Sequence, residues 1–106
     1  MVRHNVHIPE GSLAEFCRRH GIARLSLFGS ILRDDFRPDS DIDVLVEFLP
    51  GVQVSLFDMA AMQLDLSEIT GRRVDLRTPE DLSRYFRSHV LAEAEVQYAV
   101  SAPGPA

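Results

Sequence analysis

The amino-acid sequence predicts an α/β (α+β) domain in which helices cover a small β-sheet. Segments with apolar residues at helical spacing alternate along the chain with short segments whose apolar residues recur at every second position. The chain has 106 residues, which corresponds to about one domain and is enough to bury a core. Its 45% apolar and 25% charged residues are typical of a globular protein and exclude a disordered chain.

The N-terminal third predicts a helix and then a strand. Ser12-x-x-Glu15 is a capping-box pattern, which predicts that the helix starts at Ser12. Gly21 is a typical helix end. A strand over residues 25–28 and a helical turn over residues 31–34 are expected to follow. One buried helical stripe is predicted, formed by Leu13, Phe16, Cys17 and His20.

Residues 41–48 alternate strictly after the turn-forming residues 37–40. One face of this segment carries Ile42, Val44, Val46 and Phe48. The other face carries Asp41, Asp43, Leu45 and Glu47. A period of two predicts a strand with one apolar face.

The rest of the chain predicts a helix over residues 55–70, a strand over 73–77, a helix starting at Thr78-Pro79 and an edge strand over 96–100. The first of these helices carries two groups of apolar residues, Phe57, Ala61 and Leu64, and Met62, Leu66 and Ile69. In the strand, Asp75 faces away from Val74 and Leu76. The last helix is expected to continue through Leu82, Phe86 and Val90 at steps of four.

Composition restricts the class of protein. A net charge of −5 argues against general nucleic-acid binding, which would need a basic stripe. Cys17 is the only cysteine, so an internal disulfide is excluded and a buried thiol is favoured over a nucleophile. We expect a cytoplasmic protein without membrane contact, because residues 1–5 do not resemble a signal peptide and no apolar run approaches the ~20 residues that span a bilayer.

The Asp41-Ile42-Asp43 segment is the first candidate for chemistry. Side chains two apart on a strand lie on one face, roughly 6–7 Å apart, so both carboxylates could reach one metal centre. Mg²⁺ prefers hard oxygen ligands and is usually held by one or two carboxylates together with substrate phosphates. The alternative is a solvated strand face, which also carries alternating acids.

Gly29-Ser30 is the second candidate, because it lies between a predicted strand and a predicted helical turn. Unpaired amides at such a point bind phosphate readily, and glycine lets the backbone approach the ligand closely. The alternative is an ordinary turn with a capping serine.

The two candidates together resemble the motifs of a known family. Phe28-Gly29-Ser30 and Ser40-Asp41-Ile42-Asp43 are similar to those of the minimal nucleotidyltransferases in the DNA polymerase β-like superfamily. The similarity extends over residues 27–48, 74–76 and 78–79. It implies a palm-like nucleotidyltransferase fold with a mixed sheet flanked by helices, formed by residues 1–100 and followed by a flexible tail at 101–106.

The resemblance also implies roles for particular residues. Gly29 and Ser30 would bind the triphosphate of ATP or another nucleoside triphosphate. Asp41, Asp43 and Asp75 would be catalytic acids and ligands of two Mg²⁺ ions, with Asp75 assisting deprotonation of the acceptor hydroxyl. The alternative for Asp75 is a surface acid paired with Arg73 or Arg77.

Two arginines flank the motif. The planar guanidinium of Arg33 suits contacts with triphosphate oxygens, and Arg37 is a weaker candidate for the same role. Both could instead pair with Asp34, Asp35 or Asp39. Asp34 stands where many members of the family have glycine, which puts the local loop conformation in question but not the metal site.

Size and resemblance together suggest the biological role. Minimal members of this family commonly act as antitoxins beside a helical HEPN-domain ribonuclease toxin, and some transfer AMP to a toxin tyrosine. We therefore expect an antitoxin that adenylylates a HEPN toxin. One alternative is an antitoxin that neutralises its partner by binding alone. Another is an aminoglycoside-type transferase for small molecules, which would have to build its acceptor cleft as a homo-oligomer.

Overall fold

The computed structural model describes residues 2–3, 6–34 and 36–100. The predicted tail at 101–106 lies outside the described residues, and the proposed domain bounds stay a prediction. The strands are β1 (Val2–Arg3), β2 (Val6–His7), β3 (Ile22–Phe28), β4 (Ile42–Phe48), β5 (Val74–Arg77) and β6 (Glu95–Ala99). The helices are α1 (Glu10–His20), α2 (Leu56–Thr70) and α3 (Arg87–Glu93).

Four strands form one mixed sheet in the order β5-β4-β3-β6. β4 and β5 are parallel, and the other two pairs are antiparallel. A parallel pair needs a crossover connection, which α2 supplies between β4 and β5. The expected mixed sheet with helices is therefore confirmed. The small antiparallel sheet of β1 and β2 was not predicted from the sequence.

The core lies between one face of the sheet and the helices α1 and α2. β4 contributes Ile42, Val44 and Val46 to it, as the alternation predicts. The helices contribute Leu13, Phe16 and Cys17 from α1 and Met62 and Leu66 from α2. The opposite face of the sheet carries Asp43 and Asp75, both half-buried. Among the described residues, no helix is long and apolar enough to cross a lipid bilayer.

The start of α1 differs from the prediction. The helix begins at Glu10 with Pro9 as its N-cap, so Ser12 lies inside the first turn and does not cap it. The amide of Leu13 donates to the carbonyl of Pro9 at 3.1 Å, so the first turn of the helix already includes Ser12. The predicted end is confirmed, because Gly21 adopts a left-handed conformation with φ of 68°.

α2 begins with a capping box. The Ser55 hydroxyl accepts from the Asp58 amide at 3.1 Å, and the Ser55 amide donates to the Asp58 carboxylate at 2.9 Å. These bonds to Ser55 hold the pKa of Asp58 below its usual range. The two apolar groups predicted for this helix have different fates. Met62 and Leu66 are buried, whereas the side chains of the outer face stay in solvent.

The continuous helix expected after Thr78 is wrong. The structure has one 3₁₀ turn, Pro79–Asp81, and then an extended Leu82 before α3 starts at Arg87. The turn closes on itself, because the Thr78 amide donates to the Asp81 carboxylate at 3.0 Å. The Arg87 guanidinium then donates to the carbonyls of Pro79 at 2.8 Å and Leu82 at 3.1 Å, which holds the non-helical segment in place.

Candidate functional site

Asp43 and Asp75 lie side by side on the face of the sheet that is turned away from the core. They are Cα partners in the parallel pair of β4 and β5. Neighbouring strands are about 4.8 Å apart, so the two side chains rise from the sheet at the same level. On the other side of Asp43, its Cα partner is Phe28, the last residue of β3. The predicted meeting of these strands is confirmed.

Asp41 lies one residue before β4 and is half-exposed. Its carboxylate pairs with the Nε of Arg73 at 3.4 Å. The backbone is fixed at this point, because the Ile42 amide donates to the Arg73 carbonyl at 2.9 Å. The head of β4 is therefore tied to the residue that leads into β5.

The electrostatics place Asp43 at the centre of a negative cluster. Its pKa is raised above the ordinary aspartate value, first by burial and then by the charges of Asp75 and Asp41. The positive charges of Arg77 and Arg33 oppose this rise. Ionisation of Asp43 is therefore less favourable than that of an ordinary aspartate, and a nearby cation would favour it.

The two outer acids face arginines. Asp75 accepts a hydrogen bond from the Nε of Arg77 at 3.1 Å. This is the pairing expected if Asp75 is a surface acid. In the part of the chain that the structure describes, no three histidine, cysteine, aspartate or glutamate side chains form a group ready to hold a metal ion. The three acids thus share one region but do not close into a ligand set.

The residues nevertheless fit a divalent cation. All three candidate ligands offer carboxylate oxygens, which Mg²⁺ prefers. The ion pairs that hold Asp41 and Asp75 are solvent-exposed, and such pairs contribute about 0–1 kcal/mol each. Rotating these carboxylates toward a cation would therefore cost little. Burial and the charges of Asp75 and Asp41 disfavour ionisation of Asp43, and the positive charge of such an ion would offset both effects.

The backbone of Gly29 packs directly against the side chain of Asp43. Its φ of 76° is rare for residues with a side chain. A Cβ added there would collide with the carboxylate of Asp43. Glycine is therefore needed twice at this position, for its conformation and for its small size. The acid on β4 and the backbone after β3 consequently lie in direct proximity.

A 3₁₀ turn, Gly29–Leu32, follows β3. It starts two residues earlier than the turn predicted over residues 31–34. Ile31 is fully buried and anchors the turn in the core, while the half-buried Ser30 lies next to Gly29. The Arg33 amide donates to the Ser30 carbonyl at 2.9 Å. These contacts hold the Gly29-Ser30 segment beside the acids.

The two candidate arginines differ in position. Arg33 is close enough to Asp43 to lower its pKa, and it lines a cavity together with Gly29. Arg37 belongs to an exposed turn, in which its amide donates to the Ser40 hydroxyl at 3.0 Å. These observations favour Arg33 over Arg37 as a neighbour of the site.

Arg72 was missed by the sequence reasoning. Its guanidinium donates to the carbonyls of Arg37 at 3.0 Å and Ser40 at 2.7 Å. It also lies over the ring of Phe36, 4.7 Å from the centroid. Arg72 therefore holds the loop that leads into Asp41. No motif marks it, because its partners are backbone carbonyls 32 and 35 positions away in the sequence.

A cavity of about 550 Å³ opens next to Gly29 on the side of β3 that faces β6. It lies between the end of β3 and α3. Sequence reasoning assigned no role to the C-terminal half of its lining. The cavity is lined by Phe28, Gly29, Leu32, Arg33, His89, Val90, Glu93 and Glu95.

Sequence comparison places these features in a family. Residues 10–98 match the family described as "Nucleotidyltransferase domain". A protein of Methanocaldococcus jannaschii, provisionally named a protein adenylyltransferase, is 38% identical over 90 residues, which cover 85% of this chain and 95% of the relative. Protein adenylyltransferase MntA of Thermococcus cleftensis is 33% identical over 81 residues, covering 74% of this chain and 78% of the relative.

Solved structures share the fold. A structure described as a minimal nucleotidyltransferase superposes with a TM-score of 0.66 at 39% identity, covering 80% of this chain and 85% of that one. A toxin–antitoxin complex with AMP-PNP gives 0.71 at 18% identity, with coverages of 89% and 76%. A tri-AMPylated Shewanella oneidensis HEPN toxin in complex with an MNT antitoxin gives 0.62 at 18%, with coverages of 86% and 70%.

The two complexes show the fold alone, because their sequences are distant. The family match and the two relatives carry the assignment, and they agree with the sequence motifs. The chain belongs to the nucleotidyltransferase domain family and is a nucleotidyltransferase of the minimal type.

Proposed function

We propose that this chain is a Mg²⁺-dependent protein adenylyltransferase. It transfers AMP from ATP to a tyrosine hydroxyl of a helical HEPN-type toxin and so acts as its antitoxin. The observation that carries the proposal is the in-register pair of Asp43 and Asp75 beside the constrained backbone of Gly29. The names of the two relatives support adenylyl transfer to protein. The two distant complexes favour a toxin as the acceptor.

The proposed roles follow from position. Asp41, Asp43 and Asp75 hold divalent cations, and Gly29, Ser30 and Arg33 contact the triphosphate. When bound there, the cations supply charge neutralisation for the triphosphate and its developing negative charge. The protein's own part is alignment, because the strands fix the acids and the turn fixes the phosphates.

The reaction is an in-line substitution at the α-phosphorus. The tyrosine oxygen forms the new bond to the α-phosphorus, and the bond from that phosphorus to the bridging oxygen of pyrophosphate breaks. Asp75 takes the proton of the hydroxyl, and pyrophosphate leaves with the electron pair. We assign this task to Asp75 because it lies on the outer strand β5, beside Asp43 and open to an approaching partner.

Exposed apolar surface supports a protein acceptor. On the outer face of α2, Leu56 and Phe57 are each 87% exposed and Leu64 is 67% exposed. Tyr85 and Phe86 are also exposed, in the segment before α3. Contiguous apolar side chains in solvent commonly mark protein interaction sites.

The test is mass spectrometry of a co-purified HEPN partner after incubation with ATP and Mg²⁺. We expect an AMP adduct on a tyrosine with the unaltered chain and none with Asp43→Asn. Asp39→Asn, in the exposed turn before β4, is the matched control and should transfer normally. No adduct with the unaltered chain would refute the proposed reaction. Full neutralisation of the toxin by Asp43→Asn would instead favour an antitoxin that acts by binding alone.

A further inference from the structure

We propose that Arg72 is a positioning residue that raises the affinity of the three acids for a divalent cation by fixing the backbone at Asp41. This inference rests on the proposed function, because it concerns the cation of the same site. The guanidinium of Arg72 has no acceptor atom, so Arg72 cannot bind a cation itself. Its influence on the cation must pass through Asp41.

The backbone of Asp41 is bonded on both sides to the segment that leads into β5. The carbonyl of Ser40, which precedes Asp41, accepts from the Arg72 guanidinium at 2.7 Å. The amide of Ile42, which follows Asp41, donates to the carbonyl of Arg73 at 2.9 Å. The two peptide units that flank Asp41 are therefore held by two consecutive residues of this segment.

The same guanidinium closes the turn before Asp41. It donates to the carbonyl of Arg37 at 3.0 Å, and the Ser40 amide donates to that carbonyl at 3.0 Å as well. It also lies over the ring of Phe36, 4.7 Å from the centroid, and Phe36 packs against the core. Arg72 thus connects the approach to Asp41 both to the core and to the segment before β5.

The backbone of Arg72 is itself fixed at the end of α2. The Thr70 hydroxyl accepts from the Arg72 amide at 3.1 Å and donates to the Arg72 carbonyl at 3.0 Å. Three residues later in the chain, Asp75 is in register with Asp43. One short segment therefore sets the place of Asp41 relative to the other two acids. Ligands that are already in place lose less conformational freedom when the cation binds, so affinity rises.

Arg73, the next residue, has the opposite effect on Asp41. Its Nε pairs with the Asp41 carboxylate at 3.4 Å, and its side chain is 81% exposed. The side chain of Arg73 therefore competes with a cation for one carboxylate, although an exposed pair of this kind is weak. Arg72 and Arg73 carry the same charge, but the geometry gives them opposite roles.

The sign of the effect separates positioning from charge. A positive side chain repels a cation, so removing either arginine should strengthen cation binding if charge alone mattered. Loss of positioning at Asp41 should instead weaken cation binding when Arg72 is removed. The two neighbouring arginines are thus a matched pair, from which the same substitution should give opposite results.

The experiment is a titration of the nucleotide-free protein with Mn²⁺ alone, in which electron paramagnetic resonance measures the free ion. Mn²⁺ takes carboxylate ligands as Mg²⁺ does. Arg72→Met keeps an apolar stem over Phe36 but removes the donors. It should bind Mn²⁺ about 10- to 100-fold more weakly, as is typical when a residue that orients a metal ligand is lost. Arg73→Met should bind Mn²⁺ at least as tightly as the unaltered protein. Arg72→Lys should recover part of the affinity, because its ammonium can still donate to a carbonyl.

Unchanged or tighter Mn²⁺ binding by Arg72→Met would overturn this inference, and so would equal losses in Arg72→Met and Arg73→Met. Neither result would affect the proposed function. Absence of Mn²⁺ binding by the unaltered protein would overturn both this inference and the proposed cation-dependent reaction. Circular dichroism in the presence of a chelator shows whether each variant is folded. If Arg72→Met is not folded, Arg72→Lys decides: weaker binding than in the unaltered protein is expected, and unchanged binding would overturn the inference.

Discussion

The α-carbon of Gly29 lies so close to the Asp43 carboxylate that no side chain fits between them. Gly29 directly follows β3, and Asp43 projects from β4, the antiparallel neighbour of β3. The phosphate-binding candidate and the metal-binding candidate are therefore parts of one packed unit. Changes to either residue should affect both.

Gly29→Ala should reduce stability and abolish AMP transfer. Its φ of 76° should cost about 1–2 kcal/mol with a side chain present, and the collision with Asp43 adds to this. Gly51→Ala is the matched control, because Gly51 has φ of 85° and open space around its α-carbon. Urea unfolding should show a larger loss for Gly29→Ala, and only Gly29→Ala should lose transfer. Equal effects of the two variants would contradict the proposed contact.

Asp43→Asn should stabilise the metal-free protein at pH 7. Burial and the neighbouring acids raise the pKa of Asp43, so its ionisation opposes folding. This penalty is fully present above the folded pKa and disappears as the pH falls toward the ordinary aspartate value of 3.8. Thermal unfolding with a chelator should show a Tm increase of a few degrees at neutral pH, and no increase near pH 3.8. A lower Tm of Asp43→Asn at pH 7 would contradict the inference that ionised Asp43 destabilises the metal-free protein.

Ser55→Ala should lower stability by about 1 kcal/mol, because Ser55 caps α2. Its partner Asp58 has a lowered pKa, so the stability due to that carboxylate is present above pH 3.8 and is lost as the pH falls through the folded pKa below it. Ser12→Ala is the control, because Ser12 lies within α1 and does not cap it. Chemical unfolding should show almost no loss for Ser12→Ala. A similar loss in both variants would disprove the assigned helix starts.

Cys17 should resist thiol reagents in the folded protein. It is fully buried in the core, and burial raises its pKa to about 12, so almost no thiolate exists at pH 8. Labelling should require unfolding and should follow the denaturant transition. Fast labelling of the native protein would mean that α1 opens readily.

The sequence predicted those features that depend on local pattern. Strict alternation over residues 41–48 assigned Val44 to the core and Asp43 to the opposite face, and both are found there. The motif spacing of Gly29 and Asp43 was enough to indicate the family. Only the fold, however, shows that Asp43 and Asp75 are in register, because strand pairing depends on contacts distant in sequence.

The features that the sequence predicted wrongly or did not predict have physical explanations. Leu82 and Phe86 have helical spacing, but a closed turn at Pro79–Asp81 interrupts the helix, Leu82 is extended, and Phe86 is exposed. Ser12-x-x-Glu15 has the capping pattern, yet Pro9 starts the helix earlier because its carbonyl accepts the first helical bond. The cavity with Glu93 and Glu95 was not predicted, since its walls come from segments about 60 positions apart in the sequence.

The proposed reaction requires that the acids around Asp43 and the backbone at Gly29 together bind ATP with a divalent cation. This binding can be measured by titration calorimetry of ATP in the presence of Mg²⁺ and in the presence of a chelator. Binding should need Mg²⁺, should be lost in Asp43→Asn and should be kept in Asp39→Asn. ATP binding that is equally strong with the chelator, or unchanged in Asp43→Asn, would contradict it.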